Sequence, residues 1–177
     1  MVRGDPRHAR TIVIGLGNPI LSDDSVGVKV ARALKERLID PDGLNGTIET
    51  VDVTEIYAGG MRLMDAMVGY ERAIIVDAII TGGIPGAVRS MSVQDVCTTR
   101  NLICTHDTGL ATALEMGRML GLQLPSDIRI WGIEGKDVGT FSEELTDEVR
   151  HAVPCAVEQI CTYLFSCHSL TAGEVQG

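Results

Sequence analysis

Thr11-Ile12-Val13-Ile14-Gly15-Leu16-Gly17-Asn18-Pro19-Ile20-Leu21-Ser22-Asp23-Asp24-Ser25-Val26-Gly27 is the stretch from which the fold can be read. It opens on a short, apolar, β-branched run, as in a strand buried on both faces of a parallel sheet. A glycine-punctuated turn follows, ends in two aspartates and leads into a helix. Over residues 24–38, Val26, Val30, Leu34 and Leu38 recur every four residues, joined by Ala31. Lys29, Arg32, Lys35 and Glu36 take the opposite face, so the segment is an amphipathic helix.

Outward from this unit the alternation repeats. Residues 47–51 alternate and predict a second strand, and Gly59-Gly60 precedes a short helix over 61–68. Ala73-Ile74-Ile75-Val76-Asp77 reads as a third strand, apolar until it ends in a carboxylate. After the breaker Gly82-Gly83-Ile84-Pro85-Gly86, residues 87–91 predict an edge strand, free to run antiparallel. A helix over 108–120 is expected to pack through Leu110, Ala113, Leu114 and Met116, and residues 128–133 form another strand. The last helix, 146–165, carries the stripe Val149, Val153, Val157, Ile160 and Leu164. Thr146 can cap it, Asp147 and Glu148 suit its positive start, and Pro154 should kink or break it. Repeated β-α units predict an α/β fold of three layers: a mainly parallel twisted sheet with helices on both faces. The chain reads as a single domain over 1–177, with an ordered core of about 10–167 and loose ends, because residues 1–9 and 168–177 lack periodicity.

Composition narrows the function classes. The 177 residues are 45% hydrophobic but only 3% aromatic, so the core must be aliphatic. The formal net charge of -9 argues against nucleic-acid and anionic-membrane partners, which need a positive surface. It permits a cationic partner, a metal or a basic peptide. Five cysteines, an odd number without C-x-x-C spacing, fit reduced thiols in the cytoplasm rather than a disulfide framework. No apolar signal region opens the chain, and no apolar run approaches the roughly 18 residues of a membrane span.

The loop after the first strand stands where a nucleotide-binding turn would. The fingerprint G-x-G-x-x-G fails because Ile20 holds the third glycine position, and no G-K-[ST] occurs. Asp23 and Asp24 also sit where backbone N–H groups would receive an anion. Two like charges at about 4 Å repel by ~1 kcal/mol in water and more when desolvated, so this helix start repels pyrophosphate and attracts a cation. One of the pair can cap the helix while the other points into the crevice beyond the carboxyl ends of the strands.

Two further residues stand at strand-to-helix junctions: Asp77 at its strand end, and His106 in Thr105-His106-Asp107-Thr108-Gly109-Leu110 at the mouth of a helix. Each alone has an ordinary structural reading, as a cap or a surface histidine. A doubly wound sheet gathers such junctions on one edge, and two carboxylates with one imidazole suit Zn²⁺, Ni²⁺, Mn²⁺ or Fe²⁺ with positions left open. Asp107 could orient His106. Met61, Met64 and Met67 lie close together on the short helix, where packing is expected over a soft metal box. Cys155 and Cys161 are expected to pack as small apolar side chains, and Lys136 and Asp137 to be solvated loop charges.

From about Thr11 to Phe165 the sequence resembles the endopeptidases that mature the large subunit of nickel–iron hydrogenases. Gly15-Leu16-Gly17-Asn18 through Asp24 and Gly27 is similar to the family's opening signature, and Ile74-Ile75-Val76-Asp77-Ala78 to its strand ending in Asp-Ala. His106 with Gly109, Gly132-Ile133-Glu134 and Leu145-Thr146 also fit in order and spacing. The family's Gly-Gly-Thr turn after the second strand is absent: Val51-Asp52-Val53-Thr54 stands there, with Gly59-Gly60 only later. The resemblance implies removal of a C-terminal extension from a hydrogenase large subunit precursor after nickel insertion. It places Asp24, Asp77 and His106 at the metal-contacting, catalytic positions. The nickel is carried by the substrate, and zinc or cadmium could take its place in vitro.

No G-x-S-x-G elbow, H-E-x-x-H helix or cysteine-nucleophile signature competes with this reading. Metal-assisted hydrolysis is the remaining route, by polarising the scissile carbonyl, activating a water or positioning the peptide. A non-hydrolytic metal-binding or docking module for a maturing metalloprotein is the alternative, and a nucleotide-binding domain the third reading.

Overall fold

The β-branched run at residue 11 forms β1 (Thr11–Leu16), buried throughout, and a single 3-10 turn (Asp23–Ser25) leads from its loop into α1 (Val26–Ile39). In chain order there follow β2 (Val51–Ile56), α2 (Met61–Met67), β3 (Arg72–Ile80), β4 (Val88–Ser92), α3 (Val93–Thr98), β5 (Ile103–Cys104), α4 (Leu110–Met119), β6 (Asp127–Glu134) and α5 (Asp147–Gly173). The computed structural model describes residues 10–39, 51–98, 103–104 and 110–173. The sheet order is β2-β1-β3-β6-β4, with the first four strands parallel and β4 antiparallel on the edge. This is the mainly parallel sheet with an antiparallel edge strand expected from the sequence.

Alternation along the strands divides the core into two layers. Val13, Ile74, Val76, Ala78, Trp131 and Ile133 face α1 and α5. Ile12, Ile14, Leu16, Ala73, Ile75, Ile128 and Ile130 pack with Leu63 and Met67 of α2 and Leu110 and Leu114 of α4. Helices therefore cover both faces. No helix of the described residues is long and apolar enough to cross a membrane.

Several boundaries differ from those expected. The described part of the second strand is Val51–Ile56, paired with Thr11–Leu16, while residues 47–50 of the expected strand lie outside the described residues; Val51 and Val53 pack on one layer and Ile56 on the other. The Val51-Asp52-Val53-Thr54 segment is thus a ladder partner of β1. The third strand does not end at Asp77 but runs to Ile80, because Asp77, Ala78 and Ile79 pair with Gly132, Ile133 and Glu134. In α4 the inward positions are Leu110, Ala113, Leu114 and Gly117, and Met116 turns outward at 44% exposure. A Cβ at Gly117 would come within 2.8 Å of Met64 Sδ, so a glycine takes the place expected of a methionine. Residues 108–109 lie outside the described residues. The final helix is continuous through Pro154, which is exposed. The N–H that proline lacks is missing on the solvent side, where a curved helix already has its longest bonds. The same helix continues to Gly173, past the point at which a loose end was expected. Cys161 is buried as expected, but Cys155 is exposed.

Candidate active site

The site is built at the carboxyl ends of β1, β3 and β6. Three glycines let the helix start come close to the strands. A Cβ at Gly27 would stand 2.2 Å from Val76 O and 2.3 Å from Leu16 O, and one at Gly15 would stand 2.3 Å from Gly27 O. Gly17, at φ +148°, would set a Cβ 2.0 Å from Asp24 O. The glycines of the loop serve backbone-to-backbone packing, and Asp24 backbone fills the space beside Gly17. This weighs against the nucleotide-binding reading, whose glycines would make room for a pyrophosphate.

Asp24 is 2% exposed, and its Oδ2 accepts the Asn18 N–H at 2.8 Å. The turn that carries it packs against β3. Asp77 is also 2% exposed, with Oδ1 accepting the N–H of Ala78 at 2.8 Å. Pairing of β3 with β1 stops at Gly15↔Val76, so Asp77 is the first residue of β3 beyond that ladder. Alternation from Ala73 and Ile75 turns it toward the layer of α2 and α4. The two carboxylates are therefore brought to the adjoining ends of β1 and β3. Two buried carboxylates are the oxygen donors expected of a site for a borderline or hard divalent cation.

His106 and Asp107 lie outside the described residues. The chain on either side of them is described. Cys104 of β5 pairs antiparallel with Ile79, two residues beyond Asp77, and α4 resumes at Leu110. Among the described residues no three His, Cys, Asp or Glu side chains are grouped to hold an ion.

Asp23 faces away from any such role. It is fully buried, and its Oδ2 accepts the N–H groups of Lys136 and Asp137, both at 2.9 Å. Its Oδ1 accepts the N–H of Thr146 at 2.8 Å, and the Thr146 hydroxyl donates to both oxygens at 2.9 and 3.0 Å. The acidic pair thus divides its work: Asp23 holds the loop that follows β6 and the start of α5, and Asp24 stays at the end of β1.

Glu134 is the residue whose part the sequence reading passed over. It closes β6, is 1% exposed, and accepts the Thr81 N–H at 2.7 Å, the Gly83 N–H at 3.0 Å and the Thr81 hydroxyl at 2.5 Å. Burial pushes its carboxyl up, but the Thr81 hydroxyl and the N–H groups of Thr81, Gly83 and Gly82 outweigh that and hold it below the ordinary value. The signal was the one used for Asp77, a carboxylate at the end of an apolar strand. Lys136 pairs with Glu148 at 2.7 Å, and Asp137 Oδ1 caps the N–H groups of Gly139 and Thr140, so both behave as local loop charges. Met64 and Met67 are buried in packing, and Met61 is exposed.

Loops at this edge also expose large apolar side chains. Ile20 follows β1, Tyr57 follows β2, Ile84 follows β3 and Phe141 follows β6; Ile84 and Phe141 are both 79% exposed.

Residues 28–163 match the hydrogenase maturation protease family. The chain is 29% identical over 157 residues to the hydrogenase 2 maturation protease of Escherichia coli K12, covering 88% of this chain and 90% of that one. The structure superposes on the hydrogenase maturating endopeptidase HybD from E. coli with a TM-score of 0.74 at 27% identity, over 89% of this chain and 93% of the other. The [NiFe] hydrogenase maturation protease HybD from Thermococcus kodakarensis gives a TM-score of 0.66 at 25% identity, over 88% and 99%. The glycine-packed turn with its acidic pair, the buried carboxylate just past the β1–β3 ladder and these matches agree: the chain belongs to the hydrogenase maturation protease family.

Proposed function

We propose that this protein is an endopeptidase that removes a C-terminal peptide from the nickel-loaded large subunit precursor of a nickel–iron hydrogenase, in the cytoplasm. The observation that carries the reading is the pair Asp24 and Asp77, two buried carboxylates at the adjoining ends of β1 and β3 in a chain of this family. His106 supplies the third contact. Cys104, two residues before it in the chain, pairs with Ile79, and the order of motifs shared with the family supports joining the imidazole to the carboxylates.

The nickel is cargo of the substrate. Bound by Asp24, Asp77 and His106, it would supply Lewis-acid polarisation at the scissile bond. The chain's own work is to bind and orient: the carboxylates read the metal state of the precursor, and the exposed Ile20, Tyr57, Ile84 and Phe141 offer apolar surface to a protein substrate. Recognition and cleavage then become one event, and a precursor without nickel is not cut.

The test is incubation with nickel-loaded and nickel-free precursor, with the released peptide read by mass spectrometry. The expected result is release from the loaded precursor alone, and no release with Asp24→Ala, Asp77→Ala or His106→Ala, each folded by circular dichroism. Equal cleavage of both precursors would refute nickel recognition, and normal cleavage by one variant would remove that residue from the site. A stable complex without released peptide would instead mark a docking module.

A further inference from the structure

Among the described residues the buried carboxylates are Asp23, Asp24, Asp77 and Glu134. All four lie at the carboxyl edge of the sheet, and two of them, Asp23 and Glu134, are given no part in the chemistry above. Burial of a carboxylate is unfavourable unless hydrogen bonds replace its water, and these two are richly supplied. Their donors come from the loops of the site. Asp23 takes Lys136 N, Asp137 N, Thr146 N and Thr146 Oγ1. Glu134 takes Thr81 N, Thr81 Oγ1 and Gly83 N.

The end of β6 joins the two clasps. Glu134 reaches by its side chain to the loop after β3, and its backbone N–H and C=O bond to Ala87 O and Gly86 N of the same loop. Gly135 N–H donates to Ile79 O at 2.9 Å, and the next two N–H groups go to Asp23. A Cβ at Gly135 would lie 2.9 Å from Val138 Cγ1, 3.3 Å from Ile80 Cδ1 and 3.6 Å from Asp23 Cβ, so the backbone here packs closely between β3 and the turn. One end of this four-residue stretch thus holds the strand of Asp77, and the other holds the neighbour of Asp24.

We propose that Asp23 and Glu134 are positioning residues of the proteolytic site, which set the spacing of Asp24 and Asp77 through the end of β6; the proposal rests on the proteolytic reading above. The carboxylate form is required, because every partner is a donor. Asn or Gln at either position keeps the shape but turns an NH₂ group toward an N–H or O–H.

Asp23→Asn and Glu134→Gln test this, with Asp95→Asn, a carboxylate that caps Ser92 at the opposite end of the sheet, as control. kcat and KM for the nickel-loaded precursor are measured well below each melting midpoint. Displacement of a reacting group by about 1 Å costs on the order of 100-fold in rate, so kcat is expected to fall about 100-fold in both variants, with KM within about threefold and the control unchanged. A second readout needs no substrate: amide hydrogen exchange at Asn18, which donates to Asp24, and at Ala78, which donates to Asp77. About tenfold faster exchange is expected at Asn18 in Asp23→Asn and at Ala78 in Glu134→Gln, through looser local opening. Lowered stability with wild-type kcat in the folded protein would overturn the proposal, since that is a structural role alone. Unchanged exchange at both amides would overturn it as well, whether or not the wild-type protein cuts. Failure of the wild type to cut the loaded precursor would sink the proteolytic reading, and exchange alone would then decide the positioning.

Discussion

Asp77 keeps one oxygen on the N–H of Ala78, one residue beyond the last pair of the β1–β3 ladder, so the side chain is held at the end of that ladder. Asp24 is held in the same manner, by the N–H of Asn18. An amide in place of either carboxylate keeps an oxygen for that bond and loses the charge. Asp77→Asn is therefore expected to melt within about 4 °C of the wild type, the shift that about 1 kcal/mol produces in a chain of this size, while cleavage of the loaded precursor is lost. Parallel thermal melts and cleavage assays check this; a variant that cuts normally would show that the charge is not used. Asp24 and Asp77 were legible in the sequence because a charge beside an apolar run has few explanations. Asp23 was legible only as half of a pair. Its true partners, Lys136, Asp137 and Thr146, lie more than a hundred residues away, and no local pattern announces them.

At the scale of elements, the helix α1 is placed by what it lacks. Gly27 lies against the carbonyls of Leu16 and Val76, and Gly15 against Gly27 O and Ala31 Cβ. Gly27→Ala would force the first turn of α1, and with it the 3-10 turn of Asp24, off the ends of β1 and β3. Overpacking of this kind costs about 1–3 kcal/mol, so denaturant melts should show a loss of that size, and divalent-cation binding should weaken with it. A stable variant with unaltered binding would show that the close approach is incidental. Periodicity located α1 and α5 well, because their apolar stripes are long. It did not carry the second strand past Val51 to Ile56, a stretch whose register is settled by pairing with β1 rather than by pattern. It missed β5 and α3, which are too short to carry a period.

At the scale of the molecule, the carboxyl edge of the sheet is an acidic, hydrogen-bonded assembly of three loops, and its stability should depend on pH. The carboxyl of Glu134 lies below its ordinary value of 4.5 in the folded chain. The folded protein thus binds that proton more weakly than the unfolded chain does. The stability Glu134 contributes is whole above about pH 4.5 and is lost as the pH falls through the folded value. Melting midpoints followed from about pH 6 to pH 3 should fall more gently for Glu134→Gln than for the wild type. Parallel curves would mean that Glu134 is not a source of the acid sensitivity.

The central claim, that Asp24, Asp77 and His106 meet on one ion, is tested most directly by a crystal of the protein soaked in Cd²⁺ and read by anomalous diffraction. The account predicts one strong peak at the carboxyl ends of β1 and β3, with a carboxylate oxygen of Asp24, one of Asp77 and an imidazole nitrogen of His106 all coordinating it. A peak elsewhere, or one at this edge that leaves His106 uncoordinated, would contradict it.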